Sequence, residues 1–387
     1  MKKNAKTLFI AAIVTVLIAA SIIALIVIKL PTAQVTGNHD PITIGFVGPL
    51  SGDAGAIGQA ELDAATIAAT EINSNDGING RLLRIIPEDG KCNGKDAVSA
   101  IQKLITVDHV KIILGGTCSG ETLAMAPLTE EHKIILFSSS SSNPAISDAG
   151  TYIFRNSPTD NDFAPAMAEF IARNGYKRVA IISENTEYAM SVRALFKIQA
   201  AKQGTHIVAD EVFASGSKDL RAELTKIKDA NPDALFINPQ DDTSGGLCAK
   251  QARELGITAQ FYSAYYLSSP RAIAIAGSAV DGTLFLDARG LTTTAGRMLL
   301  EKYREEKGTP VNEYIIGASY DRVYILKDAL MQCGIKTDCI KNYMYNLKEY
   351  HGTIGDYGFT ASGDMDRILV EIKQVSNGSI VDRGPFP

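Results

Sequence analysis

The sequence predicts an α/β protein whose parallel sheets form two lobes behind an N-terminal transmembrane helix. Three observations lead there. From residue 42 onward, short Ile- and Val-rich runs alternate with longer stretches of helical period, which implies βαβ units and doubly wound parallel sheets with helices on both faces. The roughly 345 residues beyond the N-terminal segment are too many for one compact core and suit two. Residues 8–28 carry no charge and are almost wholly apolar, a run long enough as a helix to span a bilayer.

Lys2, Lys3 and Lys6 precede that run and Lys29 follows it. Such a charge pattern favours a cytoplasmic N terminus, which puts everything beyond Lys29 outside the cytoplasm. The alternative is a cleaved signal peptide, whose apolar region is shorter and ends at small residues in an A-x-A-like pattern. Pro31-Thr32-Ala33 matches that pattern poorly, and no cysteine stands just after the run to take a lipid. An uncleaved, single-pass anchor is the reading adopted, so residues 1–40 are assigned to anchor and tether.

Strands are expected at 42–47, 82–87, 111–114, 134–137, 178–182, 206–212, 234–237 and 283–286. Helices are expected between them at 57–74, 95–107, 119–132, 160–174, 187–203, 218–230 and 244–255. The strand runs are nearly continuous in apolarity, as a sheet covered on both faces requires. Asn231-Pro232 stops one helix and Gly256 caps another. Helices follow at 293–307, 314–332 and 336–349, then strands near 367–375 and 380–381. Helices that return to a first sheet, and strands that finish on a second, make the lobes discontinuous.

Composition excludes several functions. The net charge is −5 with no basic block after the anchor and no tryptophan, which argues against nucleic acid as a partner. Cysteines stand at 92, 118, 248, 333 and 339, and none has the C-x2-C spacing of a zinc or thioredoxin-type site. No metal or cofactor is expected. Export favours disulfides: Cys333 and Cys339 flank Gly334 and can close a small loop, while Cys92 and Cys118 each follow a predicted strand and make a second pair. Cys248 is left free, as a small buried apolar residue. The order G-T-C-S-G around Ser119 is not the G-x-S-x-G elbow, and no histidine adjoins a candidate nucleophile. Catalysis therefore has no constellation to rest on, and a non-enzymatic protein is expected; a hydrolase acting through Ser119 is the disfavoured rival.

Three loops follow predicted strands. The first, 48–58, is glycine-rich, but neither dinucleotide nor P-loop spacing is present; it is a ligand-lining loop or a plain strand-to-helix turn. The other two, 115–120 and 138–144, are rich in hydroxyls. In open parallel sheets ligands bind outside the carboxyl ends of the strands, where N–H groups and hydroxyls at helix N-termini suit a carboxylate. A flexible polar loop is the competing reading.

The segments ITIGFVGPLSG at 42–52, EINSNDGINGRLLRIIPEDGKCNGKDAV at 71–98, IILGGTCSGETLAMAPLTEEHKIILFSSSSSNPAI at 112–146 and FRNSPTDNDFAPAMAEFI at 154–171 together carry a resemblance. RVAIISENTEYAMSVRALF at 178–196 and KQARELGI at 250–257 continue it. In this order they resemble the periplasmic solute-binding proteins of the branched-chain amino-acid type, which feed ABC importers. The resemblance implies two Rossmann-like lobes joined by three crossing segments, near 155–160, 285–289 and 352–357. Lobe 1 is then 41–156 plus 288–354, and lobe 2 is 157–287 plus 355–387. It implies a disulfide between Cys92 and Cys118, a ligand carboxylate held by Ser119, Ser140 and Ser142, and Tyr188 closing over the ligand from the second lobe.

Two departures bear on the ligand. Where leucine-type members carry a glutamate for the ammonium, this chain has Tyr265, and Asp241 from a neighbouring strand end is the candidate to supply the missing charge. The aromatic residue of the family's first loop is Ile57 here. The expectation is a small polar ligand, in first place an amino acid, handed to an importer permease, with a ligand-sensing receptor domain for a small amide or carboxylate as the alternative.

Overall fold

The computed structural model describes residues 40–386, so the predicted anchor and nearly all of its tether lie outside the described residues. Among the described residues no helix is long and apolar enough to cross a membrane.

The first sheet is built by β1 (Ile42–Gly48), β2 (Leu83–Asp89), β3 (Ile112–Gly115), β4 (Ile135–Ser138) and β5 (Ile153–Arg155). Their order is β2-β1-β3-β4-β5, with every pairing parallel. Helices α1 (Gly55–Ser74), α2 (Gly94–Thr106) and α3 (Ser119–His132) connect them. Strands β3 and β4 are buried at every residue, which is why their sequence shows no polar alternation. The glycines of the 48–58 loop answer a packing need: a Cβ on Gly58 would stand 1.9 Å from the Pro49 carbonyl oxygen.

The chain then leaves for a second sheet. It contains β6 (Arg178–Glu184), β7 (His206–Phe213), β8 (Ala234–Asn238), β9 (Gln260–Ser263), β10 (Leu284–Ala288), β13 (Val370–Ser376) and β14 (Ser379–Pro385). The order is β14-β13-β10-β9-β8-β6-β7; the last two strands of the chain join antiparallel at one edge and the rest pair in parallel. The helices on this side are α4 (Asp160–Arg173), α5 (Glu187–Lys202), α6 (Arg221–Asp229), α7 (Asp242–Glu254) and α8 (Pro270–Ala276). Several start on side-chain caps that satisfy free backbone N–H groups: Thr186 accepts from Ala189 N at 3.2 Å and Asp241 from Thr243 N at 2.7 Å.

Between β10 and β13 the chain returns to the first sheet through α9 (Thr294–Lys307), α10 (Glu313–Cys333) and α11 (Thr337–Asn346). Small residues Ala65, Ala68 and Ala69 on α1 let α10 pack closely, and Val323, Leu326 and Leu330 share one core with Phe46 and Phe137. The expected helix at 336–349 is shorter, ending at Asn346, and a hairpin follows it, β11 (Tyr350–Gly352) and β12 (Gly355–Tyr357). Tyr357 and Phe359 are buried in the first-sheet core. The segment assigned to a third crossing at 352–357 is therefore occupied by this hairpin, and the chain departs for β13 only after it. Cys92–Cys118 and Cys333–Cys339 are disulfide-bonded, and Cys248 is free and buried.

Under the first sheet's carboxyl edge lies a fully buried ion pair, Arg322 Nη2 to Glu61 Oε2 at 3.3 Å. Arg322 also donates to the Phe137 carbonyl at 3.1 Å and to Ser319 Oγ at 3.0 Å. Removing one member of such a pair leaves an uncompensated charge, at a cost of about 3–5 kcal/mol. Arg322→Met is expected to lose stability of that order in urea unfolding, and Glu61→Gln added to it should restore a large part; equal stability of Arg322→Met and the natural chain would show that the pair is not what holds α10 to α1.

Candidate ligand-binding site

The carboxyl ends of β4, β9 and β10 and the start of α4 converge on a cavity between the two sheets. This is where the strand-end rule for open parallel sheets puts a ligand. Ser139, Ser140 and Ser142 form one wall; Asp160, Tyr188 and Tyr266 face them from the elements of the second sheet. The two tyrosine rings meet edge to face at 5.7 Å. Ile57 of α1 belongs to the same buried cluster as these tyrosines, so one apolar core runs across the cleft.

The serine turn is held from behind. Ser119 lies at the first position of α3, is buried, and does not line the cavity; its Oγ accepts from Ser142 N at 3.3 Å and Asn143 N at 3.2 Å. The fully buried Arg155, at the end of β5, donates to the Asn143 carbonyl at 2.8 Å and the Ser141 carbonyl at 3.3 Å, and pairs with Asp364 at 2.6 Å. Ser140 Oγ donates to Glu61 Oε1 at 2.5 Å and to the Thr117 carbonyl at 2.8 Å. Ser138 and Ser141 likewise turn their hydroxyls onto the Gly116 carbonyl, at 2.7 and 2.8 Å. The buried Ser139 hydroxyl makes no hydrogen bond.

Asp160 is the most unusual group here. It begins α4, its backbone N–H donates to the Ser142 carbonyl at 2.8 Å, and its side chain is almost fully buried. Among the described residues neither carboxylate oxygen accepts a hydrogen bond of ordinary length, and the Ser142 and Ser191 hydroxyls stand near it. Burial pushes its pKa up to about 6, only partly offset by the nearby Ser142 and Ser191 hydroxyls and the more distant charge of Arg155. Among the described residues no lysine or arginine lines the cavity.

A family model described as periplasmic binding protein matches residues 41–370. The chain belongs to the periplasmic binding protein family. Among its relatives, a Leu/Ile/Val-binding protein of Rhizobium johnstonii is 26% identical over 89% of this chain and 94% of its own length. A leucine-, isoleucine-, valine-, threonine- and alanine-binding protein of Pseudomonas aeruginosa is 25% identical over 84% of this chain and 87% of its own. The crystal structure of a leucine-binding protein from Thermotoga maritima superposes with a TM-score of 0.82 at 25% identity, covering 89% of this chain and 98% of that one. The resemblance to the branched-chain amino-acid type thus holds, and solute binding is the role of this periplasmic binding protein.

Within that family frame, the site residues expected from the sequence separate into groups. Ser140, Ser142 and Tyr188 stand together on the cavity, and Ser119 supports their turn from one layer below. Asp241 does not join them. It caps α7 with Oδ1 accepting from Thr243 N and Ser244 N at 2.7 and 2.8 Å, and it faces a neighbouring cavity. The backbone of Tyr265 lies in a short 3-10 turn while its side chain is outside the description; the next residue, Tyr266, is the one on the cavity, its hydroxyl accepting from Gln240 Nε2 at 3.1 Å. Asp160 and Arg155 were not expected, although both lie in the 154–171 segment that carried the resemblance.

The raised pKa of Asp160 has a measurable sign. Its carboxyl keeps its proton up to about pH 6 in the folded state against 3.8 in the reference, so its contribution to stability is complete below pH 3.8 and is lost as pH rises through 6. Asp160→Asn, which cannot ionise, is expected to stabilise the ligand-free protein by up to about 3 kcal/mol at pH 8 and by little at pH 4. Thermal unfolding at both pH values measures this; a variant less stable at pH 8 would mean that the carboxylate has a partner it depends on.

Proposed function

We propose that this chain is an extracytoplasmic, membrane-tethered binding protein that captures a free amino acid between its lobes and presents it to the permease of an ABC importer. The tether rests on the uncharged run at 8–28 with its flanking lysines, and the importer on the resemblance of the sequence to solute-binding proteins that feed ABC importers. The observation that carries the ligand class is the unpartnered, buried carboxylate of Asp160. An ionised carboxylate sealed from water without a partner is costly; an ammonium group entering the cavity supplies that partner.

The ligand's carboxylate then lies against the serine turn. Ser139 has its hydroxyl free to donate, and Ser142 stands beside Asp160. Ser140 and Ser119 act indirectly, since one hydroxyl is spent on Glu61 and the other holds the 142–143 backbone. Tyr188 and Tyr266 cover the ligand. The α-ammonium is assigned to Asp160 and not to Asp241, which is engaged as a helix cap. Without lysine or arginine on the cavity, a zwitterion is favoured over a dicarboxylate. In this reading lobe 1, 41–156 with 288–354 and the hairpin, and lobe 2, 157–287 with the C-terminal strands, close about the crossings. The contacts added on closure stabilise the bound form.

A thermal-shift panel of amino acids, amides and small carboxylates against the full-length chain tests the reading. A true ligand at 100 times its Kd is expected to add about 2.7 kcal/mol of stability. Asp160→Ala should abolish the response to amino acids; an undiminished response would remove Asp160 from the site. Loss of the response below about pH 6, where Asp160 takes up its proton, is expected in the same assay.

A further inference from the structure

Residues 48–58 lead from β1 into α1 and belong by connection to the first sheet. Their start is tied to it: Asp89, at the end of β2, accepts from Leu50 N at 2.9 Å and from Ser51 Oγ at 2.5 Å. Beyond Gly52, whose φ of +76° turns the chain, the partners change. The Asp53 carboxylate takes Lys218 Nζ at 2.6 Å and lies 3.9 Å from Arg271 Nη2; these cations stand just before α6 and on α8, both packed on the second sheet. Ile57 is 7% exposed and shares a buried cluster with Tyr188, Ala189 and Tyr266. It does not line the cavity of Asp160.

A second bridge meets the start of α5, the turn of helix that carries Tyr188. Asn143, in the serine turn, donates from Nδ2 to the Glu187 carbonyl at 2.9 Å. Gly120 of α3 leaves room for the Glu187 carboxylate, which a Cβ there would meet at 2.6 Å. Elements of the first sheet thus touch both the cluster that holds Tyr188 and the residue before it, so the place of Tyr188 over the cavity depends on the two sheets staying together.

The two fastenings of the 48–58 stretch differ in kind. Partly exposed ion pairs such as those of Asp53 contribute little and weaken with salt. Burying an isoleucine side chain contributes more, because it removes apolar surface from water, and it is not screened. Separation of the sheets returns Ile57 to solvent and breaks both contacts of Asp53.

We propose that residues 48–58 form a strap that latches the cleft shut, with Ile57 as its apolar pin and Asp53 as its ionic catch. Both are positioning residues, which act on the solute through Tyr188 and Tyr266 and not by touching it. The strap sets how long a captured solute is kept, and salt shortens that time through Asp53 alone. This rests on the lobe closure in the reading above and not on the identity of the ligand.

Nitroxide labels at Gln102→Cys on α2 and Ala222→Cys on α6, both exposed positions, report the separation of the two sheets in the full-length chain without any ligand. The natural cysteines do not compete for label, since four are paired and Cys248 is buried. Pulsed electron paramagnetic resonance is expected to find a short distance at low salt, with a longer one growing at about 1 M NaCl. Ile57→Ala should enlarge the long-distance population at low salt. Asp53→Lys and Lys218→Asp should each enlarge it about threefold or more, while the two reversals combined return it close to that of the natural chain. Circular dichroism checks that each variant folds; if Ile57→Ala does not, the charge reversals decide alone. A natural chain with only the long distance overturns the strap, as does a folded Ile57→Ala variant with the natural distribution, or a double reversal no more closed than its single members. None of these outcomes touches the amino-acid reading, which the thermal-shift panel decides.

Discussion

The buried pair of Glu61 and Arg322 is the constraint on which the binding wall depends. Two charges removed from water are tolerated only when hydrogen bonds satisfy their remaining valences. Here Glu61 receives Ser140 and Thr117 as well as Arg322, and Arg322 reaches the Phe137 carbonyl and Ser319. Helix α1, the ends of β3 and β4, and helix α10 thus meet at one ionic node. Burial lowers the pKa of Arg322 to about 10, which still leaves it charged at neutral pH. Arg155 repeats the device from the other side, holding carbonyls of the same turn. Arg155 thus holds the backbone of the serine wall while Arg322 holds the strand that leads into it, and most of the wall's hydroxyls are spent on the same framework.

The opposite wall works by imbalance. Asp160 is a buried carboxylate with no hydrogen bond to its oxygens among the described residues, whereas the ion pair of Asp53 and Lys218 is largely exposed to solvent. Exposed pairs contribute little, about 0–1 kcal/mol. Salt at ordinary strength acts mainly on such exposed pairs.

Much of the fold was legible because strands covered on both faces leave continuous apolar runs that stand out between helical periods. β5, with only three residues, and β9, whose apolar run is broken by glutamine and serine, fell below that signal. The serine turn was legible from its hydroxyls and its place at a strand end. Asp160 was not: an acidic residue opening a helix reads as an ordinary partner for the helix dipole, and only burial, which sequence does not show, makes it exceptional. Asp241 was misjudged for the converse reason. The order D-D-T-S at 241–244 is an N-cap signature, and its carboxylate is spent on Thr243 and Ser244.

The interleaved path of the chain decides when it can fold. The apolar face of α1 waits for α10, which is made some 250 residues later, and the edge of β10 waits for β13. Neither sheet is complete until the chain has been made past α10 and β13. A ribosome stalled midway would hold two incomplete cores with open seams, so a nonsense mutation before α10 leaves both unfinished at once.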